Sequence, residues 1–288
     1  MTILVTGVRG SIGGRVAAKL LEAGHPVRGS VRELAAPAPL PSGLDDVVEL
    51  DVTTPEADLA PHAEKALGDV DAIFLYPARG AVDGFLAAAA AAGVQYVVLL
   101  SSPASYEAGE SDRPIGLAHR AVEQSLERSG LRHTVLYPGW LATNARRDWF
   151  EEIRRTGRIG VYSPDAQINP IHPGDIAEVA ADLLTRDTFR GRMQVLTGPE
   201  SLRLREAVAT LADGLDEPVG LDELTFDQAM ERRAPWMPEP VLRVLLESAA
   251  ASAGVPAPVN NTVERITGHP ARSFHAWAQE QRAYFESA

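Results

Sequence analysis

The 288-residue chain carries 39 acidic against 27 basic residues, a formal net charge of −12, and no cysteine. That balance argues against a nucleic-acid partner, which needs a basic footprint. The missing cysteine excludes disulfides, iron–sulfur clusters, thiolate zinc sites and a cysteine nucleophile.

No uninterrupted apolar run is long enough to span a bilayer, and the chain opens on a strand pattern instead of a leader. A cytoplasmic protein with no membrane partner is therefore expected. The β-branched run Thr2-Ile3-Leu4-Val5-Thr6 leads into Gly7-Val8-Arg9-Gly10-Ser11-Ile12-Gly13, with glycines at every third position. Val16, Leu20 and Leu21 then fall on one helical face. Strand, tight turn and helix in that order make a glycine triplet a dinucleotide site. The backbone must bend sharply and let a pyrophosphate approach, and a Cβ would obstruct both. The helix start adds N–H groups and a positive dipole end.

Pro26–Arg32 is a second strand, residues 35–41 a Pro-rich loop, and Val47–Val52 a third strand. A helix is expected over Ala57–Leu67, a buried strand over Asp71–Pro77, a helix over the alanine-rich Phe85–Ala92, and a fifth strand over Val94–Ser102. Nearly all-apolar strands alternating with helices predict an α/β fold, a doubly wound parallel sheet covered on both faces. A helix over Ile115–Arg128, a strand over His133–Tyr137 and the turn Pro138-Gly139-Trp140 follow. Asp175 is placed to cap a helix over Ile176–Leu184, and Met193–Thr197 reads as one more strand. Beyond about Glu200 the pattern turns helical, over 202–211, 226–232, 239–253 and 273–285. The expected division is a dinucleotide-binding domain over 1–199, with 140–175 contributing to a substrate pocket, and a small, mostly helical C-terminal lobe over 200–288. The stretches 164–174 and 241–246 read as parts of a lid, with ordinary lobe core as the other reading of 241–246.

Strand two ends at Arg32, where an NAD-selecting site would place an acid about 20 residues after the glycine turn. Arg32 and Arg9 suit a 2′-phosphate, so NADP(H) is the preferred cofactor. Glu33 stands near the NAD-selecting distance, which leaves NAD(H) open. Asp51 and Val52, ending strand three, are expected beside the adenine, with a plain loop cap as the other role for Asp51.

These runs, with Phe74-Leu75-Tyr76-Pro77, Ser101-Ser102, His119-Arg120-Ala121-Val122-Glu123, Tyr137-Pro138-Gly139-Trp140, His172-Pro173-Gly174-Asp175-Ile176-Ala177 and Leu196-Thr197-Gly198-Pro199-Glu200, resemble the NmrA-like, atypical short-chain dehydrogenase/reductase family. The tail runs Val263–Gly268 and Phe274–Ala278 extend the resemblance over nearly the whole chain. It implies an extended nicotinamide cofactor with its ring near Tyr76, Pro77, Ser101, Pro138, Gly139 and Trp140, and Tyr137 is a further cofactor-binding candidate.

The usual dehydrogenase of this class protonates a developing alkoxide with a Tyr-x-x-x-Lys pair. Here the six tyrosines are followed four residues later by Gly80, Leu100, Glu110, Leu141, Ala166 and Ala288, and Lys19 and Lys65 are the sole lysines. Ile115 and His119 stand where the pair belongs. His119 has three roles open to it, as a hydrogen-bond partner of the nicotinamide ribose, a general acid, or a structural histidine. Tyr106 is a second candidate acid. Ser101 is a candidate cofactor contact, or ties off its strand. Ser102 and Trp140 are candidate walls of the substrate pocket, and His172 reads as a packing residue. No His/Asp/Glu run has metal-ligand spacing, so no metal is expected.

A ketone needs a proton donor or an oxyanion hole as it accepts hydride. A quinone, enone, iminium ion or dye does so with far less help. The expected function is an NADPH-dependent reductase of such small molecules. A cofactor-binding redox sensor without turnover and a non-redox biosynthetic enzyme are the alternatives. A monomer or a homodimer is expected.

Overall fold

A computed structural model describes residues 1–76, 82–107, 114–235 and 237–287 of the chain. The chain divides into two compact units, one of Met1–Pro138 with Pro173–Val195 and the other of Gly139–His172 with Leu196–Ala288.

The first unit begins β1 (Thr2–Thr6), α1 (Gly13–Glu22), β2 (Val27–Val31), β3 (Asp46–Glu49), α2 (Glu56–Leu67), β4 (Val70–Leu75), α3 (Asp83–Ala91), β5 (Tyr96–Leu100), α4 (Ala104–Glu107), α5 (Pro114–Arg128) and β6 (His133–Pro138). The second unit then contributes α6 (Thr143–Thr156), β7 (Arg158–Tyr162) and β8 (Gln167–Ile168). The chain returns to the first for α7 (Pro173–Thr185) and β9 (Met193–Leu196). The rest belongs to the second: β10 (Leu202–Arg203), α8 (Leu204–Leu215), β11 (Gly220–Leu224), α9 (Phe226–Glu231), α10 (Glu239–Ala251), α11 (Thr262–Thr267), α12 (Phe274–Glu280) and α13 (Arg282–Ser287).

The main sheet has seven strands in the order β3-β2-β1-β4-β5-β6-β9. The five neighbouring pairs from β3 to β6 are parallel. This is the doubly wound, Rossmann-like order, in which ligands lie at the C-terminal strand ends. Leu4, Ile73, Leu75, Val97 and Leu99 are all but inaccessible, packed with Phe85, Leu86 and Ala89 of the alanine-rich α3. Alanine lets that helix approach the sheet closely while favouring helix. Lys19 of α1 reaches Glu22 and Glu178 of α7, each at 3.2 Å. The hydrogen bond with Glu22, together with Glu178, raises the Lys19 ammonium above its ordinary value despite partial burial.

In the second unit, Ala142, Ala145, Trp149, Phe150 and Ile153 share one apolar cluster with Ala207, Val208 and Leu211 of α8 and Phe274, Trp277 and Ala278 of α12. That shared core puts 139–172 with the C-terminal residues, whereas the sequence reading drew its boundary after 199. Two further sequence expectations change. Asp175 does not cap α7: the helix starts at Pro173, a residue preorganised for a first helical position, and Asp175 lies fully buried in the first turn. The C-terminal part also carries strands, antiparallel β10–β8 and parallel β11–β7. The 241–246 run falls in α10, none of whose residues is fully buried, so it is not lobe core. No described helix is long and apolar enough to cross a membrane.

Candidate cofactor site

β1 hands over to the glycine turn at Thr6. Its hydroxyl donates to the Phe74 carbonyl (3.1 Å) and accepts the Tyr76 N–H (2.7 Å), tying together the C-terminal ends of β1 and β4. Gly7 follows with φ +68°, a conformation that favours glycine. The exposed side chain of Tyr76 stands over it, 3.6 Å from where a Gly7 Cβ would lie. A Cβ on Gly13 would lie 2.5 Å from the Gly7 carbonyl oxygen and 2.8 Å from that of Thr6. α1 thus packs on the end of β1 more closely than any side chain permits.

Gly7 and Gly10 are exposed, Ser11 is partly so, and Ile12 is buried beneath them. α1 begins with no side-chain cap. Among the described residues, the main-chain N–H groups of Ile12 and Gly13 meet no protein acceptor. An open, glycine-lined turn with an uncapped helix start fits a dinucleotide pyrophosphate.

Arg9 leaves the same turn and reaches the segment after β2. Its guanidinium donates to the carbonyls of Glu33, Leu34 (2.9 Å) and Ala38 (3.0 Å). The Glu33 side chain is exposed. Arg32 is exposed too and bears on Asp51. Burial pushes the Asp51 carboxyl up, but Thr53, whose hydroxyl (2.7 Å) and N–H (2.9 Å) both donate to it, and the Arg32 charge outweigh this. The net position is below the usual carboxylate range. Asp51 is therefore engaged as a loop cap, and Val52 is buried in the apolar cluster with Leu50 and Leu59.

The third part lies at the end of β5. Ser101, nearly inaccessible, is held by its N–H on the Leu136 carbonyl (2.8 Å). The Ser101 hydroxyl donates to the Glu123 carboxylate and stands 3.4 Å from His119 Nδ1. His119 and Glu123 are four residues apart on α5, so both face β5. Arg120, between them, donates to the Ser105 carbonyl of α4 (3.1 Å from Nε). Glu123 was not among the residues that sequence reasoning selected. Its signal was the i, i+4 spacing from His119.

The other candidates are scattered. Ser102 accepts the Ala104 N–H (3.3 Å) and opens α4, a capping role. Tyr137 is buried in the sheet core and Pro138 is buried at the end of β6. Pro77 lies outside the described residues, as do the side chains of Tyr106 and Ile115. Gly139 and Trp140 belong to the second unit. There Gly139 faces Asn169, whose Oδ1 would be 2.3 Å from an added Cβ. Trp140 packs in the aromatic cluster, 5.6 Å from Trp149 and edge-on to Phe274 at 5.9 Å. His172, also there, is buried with Nε2 3.2 Å from Glu280.

Known proteins resemble the chain over most of its length. The sequence profile of the NAD(P)H-binding family matches residues 7–187. A (4-alkanoyl-5-oxo-2,5-dihydrofuran-3-yl)methyl phosphate reductase of Streptomyces griseus is 34% identical over 98% of this chain and 99% of its own. An NAD(P)H azoreductase of Xenophilus azovorans is 30% identical over 99% and 100%. Among solved structures, the NADPH complex of an Escherichia coli NADPH-dependent quinone oxidoreductase superposes with a TM-score of 0.76 at 21% identity, covering 97% of this chain and 99% of that one. The chain belongs to the NAD(P)H-binding family, as an NmrA-like NAD(P)H-dependent oxidoreductase on a Rossmann-like fold.

Proposed function

We propose that the protein is an NADPH-dependent reductase of small electrophiles that are already activated toward hydride, such as quinones, enones, iminium ions or dyes. The observation that carries this reading is the composition of α5. Where a Tyr-x-x-x-Lys pair would stand it carries Ile115 and His119, and it brings His119, with Glu123 one turn on, to Ser101. Without a tyrosine acid raised for the task, an unactivated ketone is a poor substrate. An acceptor whose own conjugation carries the developing charge needs no such donor.

The relatives lean the same way. The Streptomyces griseus reductase is named for a ring alkene conjugated to a ring carbonyl and an alkanoyl group. The Xenophilus azovorans enzyme is named for azo compounds.

When bound, the cofactor supplies the hydride. The chain's own residues do the rest. The N–H groups of Ile12 and Gly13 take the pyrophosphate, and Tyr76 covers the turn at Gly7. Arg9 and Arg32 supply the positive charge at the end of β2 that favours a 2′-phosphate. His119, set by Ser101, is the polar group at the end of β5.

The test is NADPH oxidation against a panel of quinones, enones, azo dyes and simple ketones. Consumption with the activated members and none with the ketones supports the proposal. Tight NADPH binding with no oxidation by any member overturns it and favours a redox sensor.

A further inference from the structure

The two residues expected beside the adenine, Asp51 and Val52, are engaged in a loop cap and in the core. The adenine shares its ribose with the 2′-phosphate, so a cofactor with its pyrophosphate at the start of α1 and that phosphate at Arg32 leaves the base at the end of β2. The frame there is rigid. The N–H groups of Gly7 and Val8 donate to the Ser30 carbonyl (3.1 and 3.3 Å), and the Leu50 N–H donates to that of Val31 (2.8 Å), so the turn, β2 and β3 are fastened side by side. Leu34, just past Arg32, is held by both polar groups of its backbone. Its N–H donates to the Glu49 carboxylate at the end of β3 (3.0 Å), and its carbonyl accepts from Arg9 of the glycine turn (2.9 Å). Yet its side chain is 47% exposed. An aliphatic side chain with its backbone pinned and its surface in water is a preorganised apolar face for a ligand.

We propose that Leu34 is the apolar seat of the cofactor's adenine, with Glu49 and Arg9 as the positioning residues that hold it from either side. This rests on the cofactor-binding part of the reading above and on no step of hydride transfer. A flat base gains by covering aliphatic surface, and fixing the Leu34 backbone beforehand removes an ordering cost from binding. Arg9 also donates to the carbonyls of Glu33 and Ala38. Its guanidinium has more donors than these carbonyls take, so it braces the segment and can still meet a phosphate. Leu40, the other exposed leucine of the segment, is carried away toward α1, where its neighbour Pro41 packs 3.8 Å from the place of a Gly14 Cβ. Leu34 therefore serves the adenine, which NADPH and NADH share, whereas Arg32 serves the phosphate found in NADPH alone.

The experiment is methyl NMR of the full chain, labelled at leucine, with adenosine 2′,5′-bisphosphate, a probe that has the base and no nicotinamide. The Leu34 signals are assigned by their loss in L34A. The Leu34 methyls are expected to shift under the ring current of the base, and those of Leu40 to stay. Should the bisphosphate bind too weakly to saturate, the same shifts are read with NADPH. Calorimetry with NADPH and NADH is the second readout. L34A is expected to weaken both by the same factor, about three- to tenfold, with an unchanged melting temperature when no cofactor is added. L40A is expected to bind as wild type. E49A and E49Q lose the same charge, but only the amide keeps an acceptor for the Leu34 N–H. E49A should therefore bind both cofactors more weakly than E49Q, a difference that vanishes when L34A is added. Leu34 methyls unmoved at saturation overturn the proposal. An L34A that binds as wild type, an L34A loss confined to NADPH, or an E49A equal to E49Q does so too. Should E49A fail to fold, the methyl shifts and L34A decide alone. None of these readouts involves turnover, so a silent quinone panel beside shifted Leu34 methyls refutes the reductase reading and leaves this one standing.

Discussion

Arg9 is joined to Leu34 by a 2.9 Å hydrogen bond from its guanidinium to the Leu34 carbonyl, so the glycine turn and the segment after β2 are held by one side chain. Arg32, at the end of β2, makes no such hydrogen bond among the described residues and acts on Asp51 through its charge. The two arginines should separate on substitution. Arg32→Ala is expected to weaken NADPH tenfold or more while sparing NADH, since a charge-assisted hydrogen bond contributes about 1.5–3 kcal/mol. Arg9→Ala should weaken both cofactors, NADPH more. Fluorescence titration with each cofactor measures the ratio. An unchanged NADPH/NADH ratio in Arg32→Ala would refute the 2′-phosphate assignment.

Gly13→Ala tests the close approach of α1 to β1. Its Cβ would meet main-chain oxygens of Gly7 and Thr6, which have no rotamer to yield. A loss of about 1–3 kcal/mol in stability is expected, the range for overpacking, with cofactor affinity falling alongside. Gly24→Ala is the control. Unlike Gly13 it has a positive φ, +79°, and nothing within 4 Å, so it should lose stability only, through backbone strain, and leave NADPH binding intact. Thermal melts paired with NADPH titrations separate the two.

Asp51 gives a pH dependence. Its folded-state value is depressed, so its contribution to stability is present above the unfolded value of about 3.9 and is lost as pH falls through the folded value. Asp51→Asn should therefore melt lower than wild type at pH 7. The gap should begin to narrow as pH falls below about 4 and close only below the depressed folded value, where both proteins are neutral at this position. Arg32→Ala should shrink the gap at neutral pH, as one source of the depression is removed. A gap constant from pH 7 to the acid limit would contradict the Thr53 and Arg32 contacts.

Trp277 anchors the second unit. It is fully buried and stacked on Phe274 at 5.4 Å and 13°, yet among the described residues its indole N–H meets no acceptor. Trp277→Ala should cost about 3–5 kcal/mol through the lost burial and the cavity. Trp277→Phe keeps a ring and removes the unsatisfied donor, so it should cost markedly less. Chemical denaturation of the two variants gives the comparison.

The glycine turn was legible because glycine spacing reports backbone geometry directly, and the positive φ of Gly7 with the close approach at Gly13 are what the spacing encodes. The sheet was legible through its apolar runs. Which face a strand residue takes was not, because both faces of a parallel sheet are buried. Tyr137 and Val52 were read toward a ligand and lie in the core for that reason. Glu123 was hidden differently. Its spacing from His119 was in plain view, but its meaning depends on Ser101, 22 positions away. The apolar face of α6, with Ala145, Trp149 and Ile153 at helical spacing, was present in the sequence and overlooked beside stronger patterns.

The chain passes between its two units three times, at 138/139, 172/173 and 195/196. During synthesis this imposes a wait. Phe150 of α6 finds its aromatic partner in Trp277 of α12, roughly 130 positions later, which at about 5–20 residues per second is on the order of ten seconds on the ribosome. Through that interval the apolar side of α6 has α8 to pack on but lacks Phe274 and Trp277. A truncation just before α12 is therefore expected to yield a protein that is made but aggregates, as partly covered apolar surface does.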